Sequence, residues 1–172
     1  MQTREEITVT LEQETTALVE RYRAMPDELL HRPCTDSQER SGERWTPKDH
    51  LAHLTYIERA FQAMIERHLA GKENPVRLSG ASRDEIMARV HKGNQDNVAA
   101  HHADDLETLL ADHRAARVDT LALMARLSDE QLSSILPGAP WNDGTLGGVM
   151  ATNAHHAVQH LAWIDEGLAA GR

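Results

Sequence analysis

Apolar side chains recur every third or fourth residue along most of the chain, the repeat that lines one face of an α-helix. Ile7, Leu11, Ala17, Leu18 and Tyr22 keep this spacing behind a Thr3/Glu6 capping box, which predicts a first helix ending near Met25-Pro26. A second stripe, Leu51, Leu54, Ile57, Phe61, Ile65 and Leu69, starts at Thr46-Pro47 and stops at Gly71. Thr46 suits the N-cap, and Pro47 suits the first helical position, where an N–H would go unsatisfied anyway. Ser82 and Glu85 open a helical stretch through Ile86, Met87 and Val90, while Gly93-Asn94 and the polar run to His102 predict a break or a weak helix. Leu106, Leu109, Leu110, Val118, Leu121, Met124 and Leu127 mark a strong helix from about Asp104 to Leu127. The last helix is capped by Thr145 and runs through Leu146, Val149 and Met150 to about Leu168.

Between these stretches, residues 26–46, 71–81 and 128–144 read as loops, with room for a helical turn at Leu29-Leu30. No window alternates apolar and polar residues as a half-buried strand would. Four substantial helices in a chain of 172 residues predict an all-α protein, a four-helix bundle forming one domain over residues 1–172. A faint echo runs through it. MPDELL precedes a loop, Trp45 and a helix carrying His53; LSDEQL precedes a loop, Trp141 and a helix carrying His156 and His160.

Charge and composition narrow the partners. The 27 acidic against 18 basic residues leave a formal charge of −9, and no basic cluster appears. The expectation is a protein with no nucleic-acid partner and no attraction to anionic membrane surfaces. A single cysteine, Cys34, allows no internal disulfide and fits a reducing compartment. The opening MQTREEITVT lacks the features of a signal peptide, and no run approaches the roughly 20 apolar residues of a membrane span, so a soluble, cytoplasmic protein is expected.

Histidine is the unusual residue, eleven in all. In NAHHAVQHL, His156 and His160 lie four residues apart, which stacks two imidazoles on one helix face together with Val149 and Asn153. Two buried imidazoles need partners, and a shared divalent metal would supply one. An open three-ligand site needs a further donor from another helix, and the second helix offers His50, His53 and His68. Periodicity alone favours His50, nearer the centre of the apolar stripe, over His53 at its edge. His155 falls on an adjacent face, and His101, His102 and His113 read as solvated. Asn153, Glu58 and Asp49 have the spacing to orient imidazoles. A di-iron carboxylate bundle would need Glu-x-x-His on two helices, which the chain does not supply. Cys34 sits in a loop without sequence neighbours to activate it, and neither a Gly-rich phosphate loop nor a G-x-S-x-G elbow is present.

WTPKDHLAHLTYIERAF resembles the second-helix signature of the DinB-like superfamily, in which a Trp is followed eight residues later by a metal-binding His; those positions are Trp45 and His53. GTLGGVMATNAHHAVQHLAWI resembles the family's final helix with its His-x-x-x-His pair, here His156 and His160. The Asn94 region and DDLETLLADHRAARVDTLALMARLSDEQL are also similar, so the likeness covers nearly the whole chain. The resemblance implies a bundle, often a homodimer, holding one divalent ion such as zinc or nickel on His53, His156 and His160. It also implies relatives such as mycothiol-dependent maleylpyruvate isomerase and the bacillithiol or mycothiol S-transferases. The expected function is transfer of a low-molecular-weight thiol to an electrophile, or related hydrolysis; the alternative is a non-enzymatic metal-binding stress or dimerisation module.

Overall fold

The computed structural model describes residues 2–36, 44–77 and 82–171. Among them lie seven helices and one pair of very short strands. In chain order these are α1 (Arg4–Arg23), α2 (Asp27–Leu30), β1 (Thr35–Asp36), β2 (Arg44–Trp45), α3 (Pro47–Leu69), α4 (Arg83–His101), α5 (Leu106–Arg126), α6 (Asp129–Ser133) and α7 (Leu146–Ala169). The architecture is all-α. Parts of the expected 26–46 and 71–81 loops, at 37–43 and 78–81, lie outside the described residues.

Helices begin where short polar side chains satisfy free backbone N–H groups. Thr3, Thr46, Ser82 and Ser128 each close a capping box, with Glu6, Asp49, Glu85 and Gln131 respectively. The four helices α1, α5, α3 and α7 form a ring in which each packs against two neighbours. Their buried faces make two apolar clusters. One contains Ile7, Leu11, Phe61, Ile65, Leu123 and Val149; the other contains Leu18, Tyr22, Leu51, Leu54, Leu110 and Ile164.

Between the clusters α1, α3 and α5 contribute charge. Arg117 Nε donates to Glu58 Oε1 at 2.7 Å and Nη2 to Glu58 Oε2 at 3.1 Å, while Nη1 donates to the Leu11 carbonyl and to Thr15 Oγ1. Glu14 Oε2 lies 3.0 Å from Arg117 Nη2. All three charged residues are buried. Such a layer ties three helices in one register, because sliding any of them would leave a charge without its partner.

Two sequence expectations change. α4 does not break at Gly93; it runs unbroken to His101 and packs along α3. A Cβ at Gly93 would stand 2.8 Å from the Tyr56 hydroxyl, so glycine permits this approach. Buried Val98 and the Asn97 side chain, whose Nδ2 donates to the Ala52 carbonyl at 3.2 Å, hold the helix there. The second change is the antiparallel pairing of Thr35 with Trp45, a strand contact too short to leave an alternating pattern. No helix among the described residues is long and apolar enough to cross a membrane.

Candidate metal centre

The N-terminal half of α3 is covered on every side. Every residue from Pro47 to Thr55 is buried, because α2, β2, α4, α5 and α7 all pack around it. Both His50 and His53 are therefore interior, each 1 % exposed, although they point in different directions. α7 brings His160, also buried, and the half-buried His156 one turn earlier. His155 is exposed, as its adjacent face implied.

Ring nitrogens of His53, His156 and His160 all lie within 4.8 Å of one another. The His53 ring centroid is 5.2 Å from that of His156 and 4.9 Å from that of His160, and the His156 and His160 Nε2 atoms are 2.9 Å apart. Both nitrogens of His53 are buried without a hydrogen-bond partner among the described residues. An imidazole in that position forfeits its hydration with no return unless something binds its lone pair. Burial pushes His53 down to about 3 and His156 to about 4, and holds His160 well below the ordinary histidine range, with the neighbouring imidazoles adding to the effect on His53 and His160. All three rings are neutral at physiological pH, the form that ligates metal. Three neutral nitrogens converging in this way fit one divalent cation.

His50 is near this group but outside it. Its Nδ1 is 2.6 Å from His160 Nδ1, and its Nε2 is 2.8 Å from Thr35 Oγ1. Trp45 packs against both His50 and His53, with centroid separations of 5.4 and 5.1 Å, and Trp163 packs against His160 at 4.8 Å. Next to these rings is a cavity of about 450 Å³, walled by Trp45, Trp163, His50, His160, Cys34 and Arg44 among others. The Cys34 thiol is buried, donates to the Trp45 carbonyl at 3.3 Å, and is pushed by burial up to about 11. It remains a thiol, with no activation as a nucleophile.

Two of the polar residues proposed from spacing to orient the imidazoles are engaged elsewhere. Asp49 caps α3 through Thr46 and accepts from His102 Nδ1 at 2.9 Å; Glu58 belongs to the Arg117 layer. Asn153 is buried, with its Nδ2 unbonded among the described residues. His113, expected in solvent, is buried, 3.4 Å from Thr55 Oγ1, and burial pushes it to about 4. It sits one turn beyond Leu109 and Leu110 on the α5 face that meets α3, so its charged neighbours in sequence misled. The Trp echo also fails at this level: Trp141 packs on Phe61 at 4.8 Å, far from the role of Trp45.

The family model described as DinB superfamily matches residues 10–164. The chain belongs to the DinB superfamily. Two solved structures share its DinB fold. The colibactin self-resistance protein ClbS, in a crystal structure with a dsDNA, superposes with a TM-score of 0.74 at 17% identity, covering 96% of this chain and 95% of that one. An uncharacterised protein from Escherichia coli UTI89 gives 0.72 at 14% identity, covering 99% and 95%. No curated protein matches the sequence significantly.

The dsDNA in the ClbS complex corrects one expectation. The acidic charge and the lack of a basic cluster along the sequence predict no nucleic-acid partner, and that exclusion does not stand, since a protein of this DinB fold is seen in complex with a dsDNA. The physical reason is that net charge is a sum over the chain, whereas phosphate contacts depend on where a few cationic and N–H groups lie.

Proposed function

We propose that the protein is an enzyme that binds one divalent metal, zinc or nickel, through His53, His156 and His160 and transfers a low-molecular-weight thiol to an electrophile. The observation that carries the metal reading is His53, whose two buried ring nitrogens have no partner among the described residues while one of them converges with nitrogens of two further neutral imidazoles. An ion held by three neutral donors keeps its full charge and an open position, where it would favour a thiolate over a thiol, or a hydroxide over water.

The surrounding residues support a substrate beside that position. The cavity of about 450 Å³ is lined by His160 and His50, and Trp45 and Trp163 give it aromatic walls against which an apolar electrophile would pack. In the reaction the thiol loses its proton and its sulfur forms a bond to carbon. The electron pair of the broken carbon–heteroatom bond leaves with a halide while the thiol proton passes to solvent, or stays on an epoxide oxygen that takes up the proton. No oxidant or reductant is required.

The test begins with elemental analysis of protein purified without an affinity tag, beside His53→Ala, His156→Ala and His160→Ala. About one divalent ion per chain, lost in each variant, is expected. Turnover of a chromogenic electrophile is then followed with several thiols, before and after chelation and metal return. Activity that disappears with chelator and returns with metal supports the transferase. Stoichiometric metal with no turnover for any thiol leaves a metal-binding module, and no metal after reconstitution refutes the site. Titration with a labelled short duplex, in the same buffers, measures whether DNA binding extends from ClbS to this chain.

A further inference from the structure

We propose that His50, backed by Thr35, is a positioning residue that fixes the tautomer of His160. This rests on the metal-site reading above.

The argument is one of proton counting. The contact between His160 Nδ1 and His50 Nδ1 is 2.6 Å, so a single proton lies between them and one ring donates while the other accepts. A neutral imidazole carries one N–H. If His50 donated, the Nδ1 of His160 would accept and its only proton would sit on Nε2. That nitrogen faces His156 Nε2 at 2.9 Å, inside the proposed ligand group, and would be closed to metal. If His160 donates from Nδ1, its Nε2 offers a lone pair to the site. His50 then accepts on Nδ1, so its own proton must be on Nε2, which is 2.8 Å from Thr35 Oγ1. A threonine hydroxyl can accept that proton. The chain Thr35, His50, His160 is therefore consistent in one direction for a metal-binding His160, and each link determines the next.

The fold makes the arrangement rigid. Thr35 is fixed by strand pairing with Trp45, whose ring also packs edge-on against His50. His50 is itself buried on α3. His50 is poorly suited to be a fourth ligand. Its Nδ1 is directed at the outward nitrogen of His160, not into the space among His53, His156 and His160. A metal ligand whose outward N–H is held by a protein acceptor keeps its orientation and gains basicity.

The experiment compares Co²⁺ binding by wild type, His50→Leu, His50→Asn, Thr35→Val and His160→Ala. Affinity is read by competition with a chromophoric chelator, and coordination by the visible d–d spectrum. Asn places its Oδ1 close to where Nδ1 of His50 sits, so it preserves the acceptor, whereas Leu removes it. His50→Leu is expected to weaken Co²⁺ about 10–100-fold and alter the spectrum, while His50→Asn stays within roughly threefold with a spectrum like wild type. Thr35→Val, removing only the far link, should fall between them. Circular dichroism of each metal-free variant checks that the helices are intact. Wild-type affinity and spectrum in a folded His50→Leu would overturn the inference while leaving the metal site standing. Loss of Co²⁺ in both His50 variants, as complete as in His160→Ala, would make His50 a ligand and also overturn it. Failure of the wild type to bind Co²⁺ would instead sink the metal-site reading itself.

Discussion

Replacing Glu14 with Gln should stabilise the protein at alkaline pH and leave it nearly unchanged in mild acid. Glu14 is 8 % exposed and lies in the charged layer between the two apolar clusters. Its Oε2 is 3.0 Å from Arg117 Nη2, yet neither carboxylate oxygen is aligned for a hydrogen bond among the described residues. Arg117 directs its aligned bonds elsewhere, Nε and Nη2 to Glu58 and Nη1 to the Leu11 carbonyl and Thr15 Oγ1. Burial therefore outweighs the attraction of Arg117, and Glu14 is pushed up from 4.5 to about 7. A carboxyl with a raised folded pKa stabilises the fold fully below the unfolded value, and that contribution is lost as pH rises through about 7. At about 1.4 kcal/mol per pKa unit, the loss between roughly pH 5 and pH 8 is on the order of 2 kcal/mol. Gln keeps the shape without the ionisation, so the variant should escape most of that loss. Urea unfolding of both proteins at the two pH values gives the difference directly, and the buried histidines, common to both, cancel from it. Stability curves that run parallel in pH would refute the reasoning, since Glu14 would then titrate alike in folded and unfolded chains.

Arg117→Met removes the cation from two buried carboxylates and is expected to cost about 3–5 kcal/mol in the same unfolding assay near neutral pH; a loss under about 1 kcal/mol would mean the layer is not interior. Gly167→Ala probes the wall of the cavity, because a Cβ there would stand 1.9 Å from the Cys34 carbonyl oxygen, a backbone atom that cannot swing away. The Cys34 backbone must move, and a drop of about 1–3 kcal/mol in stability is expected from the overpacking. An Ala variant as stable as wild type would show that Cys34 is not held against α7.

The fold was legible because local signals agreed with one another. Thr3, Thr46, Ser82 and Thr145 all cap helices where their position predicted, and Leu51, Leu54, Phe61 and Ile65 on α3 and Leu109, Leu110 and Met124 on α5 are buried, whereas Val118 of the expected α5 stripe is exposed. Gly93 and the polar residues after it predict a break or a weak helix in α4, because they weaken a helix in isolation. What holds α4 is contact with α3 through Tyr56, Ala52 and Val98, which no local pattern contains. The buried layer was hidden for a similar reason. Glu14, Glu58 and Arg117 come from three helices, and each alone resembles a surface charge.

The histidine cluster shows the same limit in sharper form. A helical wheel ranks residues by distance from one apolar face, but the first turns of α3 have no exposed face to rank against. His50 and His53 are equally buried, and what separates them is geometry relative to α7. The ring of His53 meets both His156 and His160, at 5.2 and 4.9 Å, whereas the ring of His50 meets only His160, at 4.9 Å. Three residues along α3 rotate a side chain by most of a turn. One imidazole thereby enters the space the α7 pair leaves open, and the other reaches the outer edge of the same pair. The His-x-x-His of α3 thus gives two neighbouring residues different chemistry: one has two ring nitrogens unpartnered among the described residues, and the other has a hydrogen bond at each end. That difference depends on where α7 crosses α3, so periodicity along α3 points to His50, and only the resemblance to the DinB-like motif singles out His53.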